Sequence, residues 1–121
     1  KHPEDLQNPH MGKVVFNQEG WALYFSRSPL PWPTPNVNKE FLRRHKYYNT
    51  VGLYGYRREF LLMFASLTPT PLEQIERLEQ LRALEHGYQI MVRQTEYVPL
   101  GVDVPEDIHK VEKRLMEEEV T

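Results

Sequence analysis

The sequence predicts a mixed α/β fold, and three observations carry that prediction. Two short β-type runs flank a turn between residues 13 and 25. A sharply delimited helix runs from Thr70 to Gly87, and another β-type run follows it at once. Periods of two and of about 3.6 therefore alternate along one chain.

Bulk properties narrow the class. The 121 residues suffice for one domain or a large piece of one. Hydrophobic content of 40% and charged content of 26% are those of a globular chain, and a net charge of −2 gives no electrostatic case for nucleic acid or an anionic membrane. With no cysteine there are no disulfides and no thiolate zinc sites. The histidines, at positions 2, 10, 45, 86 and 109, lack ligand spacing. No apolar run approaches membrane-spanning length, so membrane insertion is not expected. The opening K-H-P-E-D-L-Q-N-P reads as the later part of something longer.

In chain order, Lys1 to His10 is broken by Pro3 and Pro9 and reads as irregular. Lys13 to Phe16 and Trp21 to Phe25 read as an antiparallel hairpin closed by Asn17-Gln18-Glu19-Gly20. Trp21, Leu23 and Phe25 alternate onto one apolar face. Ser26 to Pro31 leaves the hairpin extended, because residues before proline avoid the helical region. Pro31 to Asn49 reads as the least structured part. It closes on Arg43, Arg44, His45 and Lys46 beside Tyr47 and Tyr48, a cluster able to grip phosphate or stack on bases. The acidic remainder of the chain does not extend that patch, which favours a solvated loop. Val51 to Tyr56 reads as a strand whose Gly52 and Gly55 permit a close backbone or ligand approach. Arg57 to Ser66 is rich in helix formers.

The helix from Thr70 to Gly87 has both ends written in the sequence. Thr70-Pro71-Leu72-Glu73 is a capping box with proline in the first turn, and Gly87 supplies a left-handed stop. Leu72, Ile75, Leu78, Leu81 and Leu84 recur every third residue and so spread around more than half the circumference. Glu79 falls at the edge of that apolar arc. An acid there pairs, reaches the rim or binds something, and Arg82 one turn away offers a surface pairing. Tyr88 to Gln94 reads as a strand, Thr95 to Gly101 as a loop. Val104, Ile108, Val111 and Leu115 mark an amphipathic helix. Asp103 stands at its start, either as a cap with Glu106 three residues on or as a carboxylate suited to a divalent cation.

Four segments in one order carry a further signal: N-P-H-M-G-K-V-V-F…G-W-A-L-Y-F-S-R-S-P-L-P-W, V-G-L-Y-G-Y-R-R-E-F-L, P-L-E-Q-I-E-R-L-E-Q-L-R-A-L-E-H-G-Y and G-V-D-V-P-E-D. Together they resemble the 3-deoxy-manno-octulosonate cytidylyltransferases, over almost the whole chain except the loop at 33–49. The resemblance implies a three-layer α/β/α fold of the nucleotide-diphospho-sugar transferase type. Residues 1–121 would form its C-terminal half: mixed sheet, β-hairpin and flanking helices. It implies transfer of CMP from CTP to 3-deoxy-D-manno-octulosonate (Kdo), with pyrophosphate released, in cytoplasmic lipopolysaccharide biosynthesis. It also implies Mg2+ held by Asp103 as catalytic ligand, a sugar-acid pocket formed by Arg27, Tyr54, Glu79 and Gln80, and a homodimer joined through the hairpin. Nothing in the chain matches the family's nucleotide loop, so the 121 residues alone are expected to be inactive. Thr50 stands where the family usually has histidine, and Thr34 where it often has arginine. Those departures leave open a related acidic sugar, such as an amino-Kdo or a sialic acid. A non-catalytic dimerisation or binding module is the reading from another class.

Overall fold

The computed structural model describes residues 3–33, 37–97, 101–102 and 104–119. Its elements are α1 (Pro3–Gln7), β1 (Lys13–Phe16), β2 (Ala22–Ser26), α2 (Lys39–Arg44), β3 (Tyr48–Asn49), α3 (Arg58–Phe64), α4 (Pro71–Glu76), α5 (Gln80–Glu85) and α6 (Asp107–Glu119). The predicted mixed α/β class holds.

The hairpin forms where the sequence places it. Asn17 closes it by accepting from the Glu19 and Trp21 amides, and Gly20 takes φ 92° against the Met91 sulfur and Val92 carbonyl. The expected apolar face does not survive intact. Val15 stands opposite Tyr24 but Phe16 opposite Ala22, so Leu23 is an extra, bulged residue. The bulge leaves Leu23 62% exposed while Phe25 enters the core.

β1 is the central strand of a three-stranded antiparallel sheet ordered β2-β1-β3. The strand expected at Val51 to Tyr56 is not there. Pairing occurs just before it, where Tyr48 faces Val14 and Asn49 faces Lys13, and Thr50 adds a bond to the Gly12 carbonyl at 2.8 Å. Aromatic residues pack on the sheet, with Phe16 and Tyr48 rings 4.8 Å apart, whereas Gly52 at φ 76° turns the chain away. The strand expected at Tyr88 to Gln94 is likewise reduced. Ala22 and Val92 exchange bonds with Ile90 and Gly20, both at 2.8 Å, around a single Trp21–Met91 bridge. The Leu23 bulge twists β2 away beyond that point.

Two segments read as irregular are helical. Pro3–Gln7 forms one short turn that buries Leu6. Within the region read as least structured, Asn38 caps α2 by accepting from the Phe41 amide at 2.8 Å, and Glu40 pairs with Arg44 one turn on. Asn38 is a good cap that the run of prolines before it obscured.

The core is Val14 and Phe25 of the sheet against Leu81 of α5, with Phe16, Tyr24, Tyr48, Leu78, Leu84, Ile90 and Val92 around it. Ile75 is 76% exposed, contrary to its place in the expected apolar arc. A second cluster stacks Tyr56, Phe60 and Phe64 at 5.9–6.1 Å and sets Tyr88 edge-on to Phe60 at 5.1 Å.

The Thr70 box is real but one-sided. The Thr70 amide donates to the Glu73 carboxylate at 3.2 Å. The Thr70 hydroxyl faces the Glu73 amide without closing a bond, and it is a buried polar atom with no partner. Glu73 also receives the Arg82 guanidinium, Nε at 2.8 Å, and Arg82 lies over the Phe64 ring at 5.2 Å. Hydrogen bonding from Arg82 holds the Glu73 carboxyl below its ordinary value despite burial. An acid lowered in the folded state stabilises the fold above its unfolded value and loses that contribution as pH falls through its folded value. Glu73→Gln keeps a capping side chain but removes the charge. It should lower the melting temperature at neutral pH, and its difference from wild type should close as pH falls below the ordinary value of 4.5. A difference unchanged from pH 7 into acid would assign the loss to packing instead.

Candidate functional site

The continuous helix expected from Thr70 to Gly87 is interrupted. α4 stops at Glu76, Arg77 adopts φ 54° and ψ 47°, and α5 resumes at Gln80 with Glu79 at its N-cap. A left-handed residue with a side chain costs about 1–2 kcal/mol, so other contacts must hold it. The amides of Arg77 and Leu78 both donate to the Glu73 carbonyl, the usual device for ending a helix. Gly87, at φ 84°, then ends α5 as expected.

The remaining contacts come from β2 and the residue after it. The Arg27 guanidinium donates through Nε to the Glu76 carbonyl at 2.9 Å and through its terminal nitrogens to Arg77 at 3.1 Å and Pro9 at 3.0 Å. The carbonyls of Glu76 and Arg77 are ones that the end of α4 leaves unsatisfied. The Glu76 carboxylate reaches the opposite way. It accepts from the Ser26 hydroxyl at 2.7 Å, the Tyr24 hydroxyl at 3.3 Å and the Arg27 amide at 2.9 Å. Burial, with the Glu76 charge next, pushes the Tyr24 hydroxyl up. Beneath this junction Lys13 is fully buried, donating to the carbonyls of Asn8 and, at 2.9 Å, Arg27. Its pKa is lowered by burial first and by Arg27 second.

Beyond the break, Glu79 is exposed and Gln80 is buried against the core. The surface pairing of Glu79 with Arg82 does not form, because Arg82 is taken by Glu73; among the described residues Glu79 has no ion-pair partner. Tyr54, half-buried, and Tyr56 gather near it. Burial raises both hydroxyls first; next comes Tyr56 and then the Glu79 charge for Tyr54, and the Glu79 charge for Tyr56. Both phenols therefore stay protonated and able to donate, within the field of an acceptor carboxylate. Such a group suits a polyhydroxylated ligand.

Of the residues the sequence singled out, Tyr54 lies within the field of the Glu79 charge, Gln80 is buried next in the chain, and Arg27 is set against the break that precedes them. Asp103 and Thr34 lie outside the described residues. The Thr50 hydroxyl donates to the Gly12 carbonyl at 3.3 Å. Sequence reasoning missed Glu76, Lys13 and Tyr56. A lysine opening the apolar run K-V-V-F was the available sign for Lys13; Glu76 had none.

Comparison with known proteins places the chain. A family model described as cytidylyltransferase matches residues 1–93. The chain belongs to the cytidylyltransferase family. Similar cytidylyltransferases include the 3-deoxy-manno-octulosonate enzymes of Geotalea uraniireducens, 51% identical over 116 residues, and Thermodesulfovibrio yellowstonii, 47% identical over 112. Those alignments cover 92% and 93% of this chain but 46% and 44% of the relatives, so the chain spans about half their length. A solved CMP:2-keto-3-deoxy-manno-octonic acid synthetase complexed with CTP superimposes with a TM-score of 0.82 at 36% identity, over 95% of this chain and 45% of that one. The family resemblance and the mixed α/β part-fold read from the sequence are borne out.

The break makes a measurable statement about Arg77. In a continuous helix Arg77→Gly would cost about 1 kcal/mol, whereas at a left-handed residue glycine relieves strain of similar size. Arg77→Gly should melt at or above the wild-type temperature, and Arg77→Ile several degrees below it. A clear loss for glycine would mean the helix runs through.

Proposed function

We propose that this chain forms the sugar-acid side of a 3-deoxy-manno-octulosonate cytidylyltransferase, which transfers CMP from CTP to Kdo. The anomeric hydroxyl of Kdo attacks the α-phosphorus of CTP, the bond to the β-phosphate oxygen breaks, and pyrophosphate leaves. The observation that supports this most is Tyr54 and Tyr56 in the field of Glu79, which has no ion-pair partner among the described residues and is followed at once by Gln80, in a chain whose relatives carry that enzyme's name. Tyrosine hydroxyls donate to sugar oxygens and Glu79 accepts from sugar hydroxyls. Arg27 has five N–H groups, and three are engaged by carbonyls. The two left over suit the sugar carboxylate. Gln80 is more buried than a rim residue, so truncating it would cost stability as well as binding.

Mg2+ belongs to this reading. Such ions are held by one or two carboxylates with phosphate oxygens and water completing the shell, and the single carboxylate of Asp103 fits that donor set. When bound, the ion offsets charge on the transferring phosphate. The reading also takes in a cytoplasmic setting in lipopolysaccharide synthesis, a partner half that carries the nucleotide loop, and a homodimer through the hairpin. Leu23, held outward on its bulge, supports the last point. The related amino sugar acid stays the second reading, because Thr50 spends its hydroxyl on Gly12 and presents no cation.

Turnover of Kdo, amino-Kdo and sialic acid with CTP by the full-length protein tests the reading directly, and Kdo should be preferred. Asp103→Asn in the same protein should lower kcat by at least about a hundredfold, the scale of losing one electrostatic partner in the transition state. Its melting temperature should stay within a few degrees, since asparagine caps as well as aspartate. Near-normal turnover at ordinary magnesium would leave Asp103 a cap. Leu23→Glu should give monomer or aggregate by sizing with light scattering; a clean dimer would remove the hairpin from the interface.

A further inference from the structure

We propose that Glu76 is a positioning residue for the sugar acid, acting through the Arg77 turn on Glu79 and Gln80. The inference rests on the reading that Glu79 and Gln80 face the sugar. Glu76 itself is the last residue of α4, and its side chain turns back onto β2 rather than toward Tyr54.

One strand segment holds both ends of this residue. Its carboxylate is fixed by the Ser26 hydroxyl at 2.7 Å and the Arg27 amide at 2.9 Å, while its carbonyl receives Arg27 Nε at 2.9 Å. Four residues on, Gln80 opens α5, and the backbone freedom between them is at Arg77, Leu78 and Glu79. Arg77 is held left-handed at φ 54° although it is not glycine. Without the fixed Glu76 that residue would return toward the helical region, α4 would run on, and Glu79 would rotate about the axis away from the tyrosines. The carboxylate accepts from all three of its neighbours, two hydroxyls and one backbone amide. Glutamine at the same place keeps one acceptor for the Arg27 amide but loses the charge and reverses both hydroxyl bonds. Productive contacts of this kind are lost on displacements of about 1 Å.

Glu76→Gln in the full-length cytidylyltransferase, assayed with Kdo and CTP, separates positioning from folding. KM for Kdo should rise about tenfold while KM for CTP stays within about twofold, since uniform loss of binding to one substrate reads out in its KM alone. Ser26→Ala removes one of the three donors and should shift KM for Kdo the same way by a smaller factor; it serves if Glu76→Gln folds poorly. Combined with Gln80→Ala, the Glu76→Gln effect on KM should be much less than additive, because both act on one contact. Unchanged KM values with kcat reduced in proportion to folded protein, or additive effects in the double variant, would overturn the proposal and leave Glu76 purely structural. If Glu79→Ala and Gln80→Ala leave KM for Kdo unmoved, it is the sugar-pocket reading that fails.

Discussion

A helix that stops inside a domain must give its last carbonyls to something, and in this chain the rest of the arrangement follows from what they are given to. Arg27 takes the carbonyls of Glu76 and Arg77, and the Glu76 carboxylate takes the donors of β2. The two side chains cross, each satisfying the other's segment. The exchange fastens α4 to the edge of the sheet and lets α5 leave at a new angle, so that Leu81 drops between Val14 and Phe25. On a straight helix Ile75 and Leu81 would have stood about 120° apart within one broad apolar arc. The break sends Leu81 inward and leaves Ile75 in solvent.

The features legible in the sequence were those whose cause is local. Asn17 and Gly20 fold back on their own neighbours, Glu73 reaches its own Thr70 amide, and Gly87 turns left because it lacks a side chain. The break at Arg77 was not legible, because every residue from Glu76 to Gln80 propagates a helix well enough and the opposing force sits fifty residues earlier, on Ser26 and Arg27. The third strand was misplaced for a related reason. V-G-L-Y-G-Y looks more like a strand than Y-Y-N, but only Tyr48 and Asn49 meet the free edge of β1, and that is a tertiary fact. In the candidate site, Tyr54, Glu79 and Gln80 came from a family resemblance, and periodicity alone marked only Glu79 as an acid out of place. Tyr56 and Glu76 carried no mark at all.

The ion pairing decides which acid is left without a salt bridge among the described residues. Arg82 lies within a turn of Glu79 and was the natural partner on spacing, yet the guanidinium turns to Glu73 and the Phe64 face. Glu73 already holds the Thr70 amide, so one carboxylate closes a helix start, a cation and a ring stack together. Pairing there is shielded and geometrically fixed, and it wins over an exposed alternative worth little. The consequence is that Glu79 makes no direct ion pair among the described residues, though its charge still acts on Arg82 and on two protonated phenols.

Arg27 faces a conflict that geometry resolves. A ligand for a sugar carboxylate should point at the substrate, whereas this guanidinium points at carbonyls, with the buried Lys13 beside it. Two cations together, neither facing a carboxylate side chain squarely, would be unstable but for the five peptide carbonyl bonds they make between them: three from Arg27 and two from Lys13. Those carbonyls neutralise only partial charge. The spare N–H groups of the planar fork stay fixed in direction. Lysine could supply the charge but not hold three carbonyls and leave a directed pair of donors. An arginine anchored in this way is already oriented before any anion arrives, so binding one costs little ordering. On the proposed reading, the structural and recognition roles are the same feature of one side chain.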